Sequence, residues 1–101
     1  MMVDLRDREK GMEDQYFRDA ERILKLKSRC DTLLAKWVAG LVDRDDFVAY
    51  ADEITDARFK GGDPGVLSKA LSDLQAAGRN LSEQDVATKM REFMSEAAEQ
   101  L

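Results

Sequence analysis

Between Asp14 and Val42, one apolar stripe constrains what this chain can become. Tyr16, Ala20, Ile23, Cys30, Leu34, Trp37 and Leu41 recur at alternating steps of four and three, which lines them along one side of an α-helix. Only Lys27 breaks the rhythm. Phe17, Leu24, Leu26, Leu33 and Val38 widen the stripe into a broad face, and neither Gly nor Pro falls between Tyr16 and Ala39. Such a face must be covered, and the later chain offers amphipathic stretches to cover it. With 101 residues the chain makes one domain, with room for one core but not for a core plus a deep substrate cavity.

Start and stop signals divide the remainder. The long helix is predicted over about 14–40. Asp43 is a suitable N-cap for a second helix at about 44–60, with Asp45 and Asp46 in the first turn, where the helix dipole favours acids. Phe47, Tyr50, Ala51, Ile54 and Ala57 face inward, Phe59 lies near the end, and Gly61-Gly62 stops the helix. Asp63-Pro64 opens a third at about 64–77, a cap residue followed by Pro at the first helical position. Leu67, Ala70, Leu71 and Leu74 are its inner face, and Gly78 suits a left-handed C-terminal position. Ser82, with Asp85 three residues on, caps a fourth at about 83–99, whose inner positions are Val86, Met90, Phe93 and Ala97. The sequence shows no strand pattern. The predicted fold is all-α: a four-helix bundle over 14–101, with a long first helix and a mobile N-terminal segment over 1–13.

That segment is crowded with charge of both signs. Asp4 with Arg8 in it, and further on Asp14 with Arg18 and Glu21 with Lys25, are acid-before-base pairs four apart, each adding a few tenths of a kcal/mol to a helix. Gly11 opposes helix by about 1 kcal/mol relative to Ala. Leu5, Met12 and Tyr16 form a stripe too thin to hold against a core. The expectation is a frayed or partly helical segment that becomes fully helical on a partner.

Composition removes several function classes. Net charge is −5 with no His, which disfavours phosphate backbones and anionic lipid and removes the commonest general base and metal ligand. One Cys cannot form an internal disulfide, and no apolar run is long enough for a signal peptide or membrane span. A cytoplasmic protein fits, without cofactor, metal or catalytic residues. Gly61-Gly62-Asp63-Pro64-Gly65 lacks the Gly-Lys-Ser/Thr of a phosphate loop and reads as a turn. Cys30 and Trp37 follow the core periodicity. The acids Asp43, Asp45, Asp46, Asp52, Glu53 and Asp56 lack the glycine and terminal Glu of a calcium loop and read as caps and solvated faces. Leu71 to Met90 mimics a helix-turn-helix, but its reading helix would lead with Glu83 and Asp85, which meet phosphates badly. Arg22, Lys25 and Arg29 share one face, with Lys36 two turns on; this is either a solvated face or a docking face for an acidic partner.

Two stretches resemble a known family. One is Asp7-Arg8-Glu9-Lys10-Gly11-Met12-Glu13, continuing through Tyr16-Phe17, Asp19, Glu21, Leu33-Leu34 and Trp37. The other is Val66-Leu67, Lys69-Ala70-Leu71, Asp73-Leu74, Gly78, Ser82-Glu83, Val86 and Lys89-Met90. Together they resemble the zeta subunit of alphaproteobacterial F-type ATP synthases, over nearly the whole chain. The resemblance implies a four-helix bundle that inhibits ATP hydrolysis. Its N-terminal segment would enter a catalytic interface of the soluble sector, among the alpha, beta and gamma subunits, as a helix. The protein would then be peripheral to the inner membrane through the ATP synthase, and a monomer when free. Carried onto this chain, the inhibitory part is Met1 to about Asp19, with Leu5, Arg6, Asp7, Arg8, Glu9, Lys10, Met12, Glu13, Tyr16 and Phe17 as partner-binding residues. Where the family usually reads Leu-Leu-Gly-Leu-Trp-Ala-Ala-Glu, this chain has Leu33-Leu34-Ala35-Lys36-Trp37-Val38-Ala39-Gly40. The alternative function is a non-inhibitory helical adaptor that binds another protein through the bundle surface.

Overall fold

A computed structural model describes the backbone of residues 5–100 and the side chains of residues 18–100. Every element among them is helical: α1 Leu5–Leu41, α2 Phe47–Ala76 and α3 Glu83–Glu99. None of these helices is long and apolar enough to cross a membrane.

The count is three helices, not the four predicted. The second and third predicted helices are two limbs of α2, because only Gly62 leaves the helical conformation, at φ 64° and ψ −151°. That region of backbone space is open essentially to glycine alone. The break is a reversal rather than a bend. Tyr50 donates its hydroxyl hydrogen bond to Asp73 at 2.8 Å, and Lys69 reaches Glu53 at 2.9 Å. Along a straight helix, Tyr50 and Asp73 would stand roughly 34 Å apart. The limbs therefore fold back on each other, and they do so closely. A Cβ at Gly65 would stand 2.6 Å from the carbonyl oxygen of Ala57.

The remaining ends follow their caps. After α1, Asp43 adopts the left-handed conformation at φ 59°, and the Arg44 amide bonds back to the Ala39 carbonyl at 2.8 Å. Asp43 thus closes α1; contrary to the prediction, it does not cap the next helix. The N-cap of α2 is Asp46, and the first turn of α2 holds no acid. The Asp46 carboxylate is engaged by Arg44 instead, at 2.9 and 2.8 Å. At the other end of α2, Gly78 is left-handed at φ 78°, as predicted, and the Arg79 amide bonds to the Leu74 carbonyl. The capping box of α3 is complete: Ser82 and Asp85 exchange side-chain and backbone hydrogen bonds at 3.0 and 3.1 Å.

The core gathers Leu34, Ala35 and Val38 of α1, Tyr50, Ile54, Val66, Ala70 and Leu74 of α2, and Val86 of α3. Burying each Leu- or Val-sized side chain contributes about 1.5–3 kcal/mol. Trp37 packs beside this cluster, edge-on to Phe93 with ring centroids 6.1 Å apart. Among the described side chains, the core draws only on the C-terminal part of α1. Cys30 is its first buried residue among those described, and no side chain from Arg18 to Arg29 is buried.

Three glycine substitutions separate these constraints. Gly65→Ala is expected to cost about 2 kcal/mol or more through the clash with Ala57. Gly62→Ala should cost about 1–3 kcal/mol through its backbone angles. Gly40→Ala, in α1 with no atom near its would-be Cβ, should raise stability by about 0.5–1 kcal/mol. Urea denaturation of the three variants checks both the order and the signs.

Candidate docking surface

The apolar stripe of α1 is longer than its cover. α2 turns back at Gly62, and the adjoining Asp63 meets Lys27 at 3.6 Å. At the end of α3, Arg29 donates to the Gln100 carbonyl at 2.6 Å. Neither partner helix continues past this level of α1. Ile23 and Leu24, predicted to be covered, are consequently 51% and 67% exposed. Lys27, which breaks the stripe in the sequence, stands where the bundle ends.

A charged clasp fixes that level. Arg58 of α2 grips Asp31 of α1 with two hydrogen bonds, at 2.6 and 2.9 Å, and its remaining edge engages Asp63. Asp31 is 4% exposed, a charge sunk into the packed region. It is tolerated because a planar guanidinium satisfies both its oxygens. Arg58, followed by Lys27, holds the Asp63 carboxyl below its ordinary range. Sequence periodicity missed this pair. Its only trace was Asp31 standing between Cys30 and Leu34, and nothing local pointed to a partner 27 positions on.

A second polar cluster ties the limbs of α2. Arg44 bonds Glu53 at 2.8 Å, and Lys69 reaches both Glu53 and Asp73 at 2.9 Å. Arg44, then Lys69, lowers the Glu53 pKa. Burial, then the Asp73 hydrogen bond, raises that of the Tyr50 hydroxyl. These acids and bases neutralise one another across helices.

The sequence-predicted site residues fall into two groups. Leu5, Arg6, Asp7, Arg8, Glu9, Lys10, Met12, Glu13, Tyr16 and Phe17 lie on the backbone of α1, and their side chains lie outside the described residues. The same holds for the Asp14 side chain, and Asp4 lies outside altogether. Arg22, Lys25 and Arg29 are exposed on one face of α1. Glu21 and Lys25 form no ion pair among the described residues. Arg29 has a structural task that the sequence did not reveal: it satisfies a carbonyl at the C-terminus of α3, where the helix dipole favours a cation.

Chemistry is sparse elsewhere. A groove of about 420 Å³ runs between the helices beside the clasp, walled by Cys30, Pro64, Leu67, Ala87, Met90 and Met94, with Arg58, Asp63, Glu83 and Arg91 also lining it. Burial, then Asp31, pushes the Cys30 thiol up to about 11, which makes it a poor nucleophile at neutral pH. No group of three or more metal-ligating side chains occurs among the described residues. The described surface offers contact area and charge.

A family model described as ATPase inhibitor subunit zeta matches residues 2–100. Comparison with curated proteins gives no match.

Asp31→Ala, which leaves Arg58 without its buried partner, is expected to cost about 3 kcal/mol. Replacing the pair together, Asp31→Leu with Arg58→Met, should recover much of that loss; thermal unfolding of the single and double variants checks both. Asp63 and Glu53 have pKa values lowered in the folded state. Their stabilisation is therefore present above the ordinary carboxyl pKa and is lost as pH falls through the folded values. The melting temperature should be flat above about pH 5 and fall below about pH 4, and Asp63→Asn should flatten that acid limb.

Proposed function

The chain belongs to the ATPase inhibitor subunit zeta family, and from that premise we propose that it is a regulatory inhibitor of F-type ATPase hydrolysis. It acts by inserting the N-terminal end of α1 into a catalytic interface of the soluble sector, formed by the alpha, beta and gamma subunits. The bundle stays outside as a handle. The protein is then held at the membrane through the ATP synthase and contributes no catalytic residue. The observation that carries this reading is α1 itself, which runs on to Leu5 while its described partners stop at the level of Lys27 and Arg29.

Physical chemistry supports the same role. Residues 5–29 in helix span roughly 37 Å, enough to penetrate a subunit interface. The mixed charge of Met1 to Asp19 keeps that stretch soluble when free. Its sparse apolar residues Leu5, Met12, Tyr16 and Phe17 supply burial when bound. Any ordering of the stretch on binding consumes part of the contact energy, typically about 2–5 kcal/mol.

Deletion of residues 1–14 tests the reading. Full-length protein should inhibit ATP hydrolysis by the cognate ATPase sector, and the truncated protein should not, while its circular dichroism retains the helical bundle. Equal activity of the two proteins would favour the adaptor, which binds through the bundle surface alone.

A further inference from the structure

The stretch of α1 just outside the bundle carries two unlike faces. Ile23 and Leu24, at 51% and 67% exposure, continue the core-facing side beyond its cover. Arg18, Arg22 and Lys25 recur at steps of four and three on the other side of the helix, all exposed. None of the three forms an ion pair among the described residues. Elsewhere among the described residues the cations are engaged: Lys27, Arg44, Arg58, Lys60, Lys69 and Lys89 meet carboxylates, Arg29 and Arg79 donate to backbone carbonyls, Arg91 donates to Thr88, and Lys36 lies over the Phe47 ring. An uncovered apolar face and a basic face with no ion pair among the described residues, though Glu21 shares its hollow, stand back to back on one helix, and a flat surface can contact only one of them.

We propose that residues 18–25 of α1 seat in a two-walled crevice of a protein partner, one wall apolar against Ile23 and Leu24, the other acidic against Arg18, Arg22 and Lys25. Asp19 and Glu21 lie on the flanks between the two faces. The crevice reaches no farther than Lys27, because there the bundle broadens. Arg58 grips α1 at Asp31, so the adjoining Phe59, 91% exposed, stands at the same end of the bundle. The end of the bundle is thus a shoulder that sets the depth of insertion. This proposal rests on the inhibitor reading and adds to it the chemistry of the walls, and it places residues beyond Asp19 inside the partner.

Two double variants separate the walls: Ile23→Gln with Leu24→Gln, which leaves the charge unchanged, and Arg22→Glu with Lys25→Glu. Binding to the cognate ATPase sector and inhibition of hydrolysis are measured for wild type, each double and the quadruple. Circular dichroism monitors the fold. Each double should weaken binding by about tenfold or more, and the quadruple by more than either double. The charge variant should lose its deficit at high salt and the apolar variant should keep it. If a double variant fails to fold, Leu24→Ala and Lys25→Gln replace it, with smaller deficits of the same salt behaviour. If wild type binds and both doubles bind equally well, the two-walled seat is overturned and the inhibitor reading stands. Loss in only one double indicates a one-sided contact and also overturns the proposal. If wild type neither binds nor inhibits the sector, the inhibitor reading falls and this proposal with it.

Discussion

The grip of Arg58 on Asp31 sets the height at which α2 reverses along α1. Two short hydrogen bonds to a nearly inaccessible carboxylate leave little play between the helices. Asp63, on the far side of the turn, answers Arg58 and Lys27, so the reversal at Gly62 is fastened from both limbs. Once that height is fixed, the rest of α2 pairs in one register. Ala57 lies against Gly65, Glu53 against Lys69, and Tyr50 against Asp73. α3 then closes the remaining side of the core and ends where Arg29 meets its last carbonyls.

The same height divides α1 into two parts. Below it, Leu34, Ala35 and Val38 are fully enclosed. Above it, Ile23 and Leu24 face solvent. A small acidic domain gains nothing in its own stability from an exposed pair of this kind, which favours a surface reserved for contact with another molecule. The function proposed for the chain follows from that division. In that proposal, one part supplies a stable body, and the other supplies a helix whose faces a partner completes.

Much of this was legible in the residues, and the misses have physical causes. Helical periodicity and local end signals located the Gly61-Gly62 stop, the left-handed Gly78 and the Ser82–Asp85 box, because each depends on neighbours within a few positions. Two helices became two limbs of one because the turn is so tight that only Gly62 leaves the helical conformation. Asp43 was misassigned because an acid just after one helix and just before the next suits either role. Its left-handed backbone decides for the first. Periodicity announces an apolar face but not how far that face is covered, so Ile23 and Leu24 read as core. The cover is set by Asp31 and Arg58, a pair too distant in sequence for any local pattern to join.

Whether α1 leaves the bundle with its apolar side open is most directly tested by cysteine reactivity. With Leu24 replaced by Cys, a polar thiol reagent should modify position 24 rapidly in the free protein and leave the buried Cys30 untouched. Bound to the ATPase sector, position 24 should become protected. A thiol at position 24 as silent as Cys30 in the free protein, or equally fast in both states, would contradict the account.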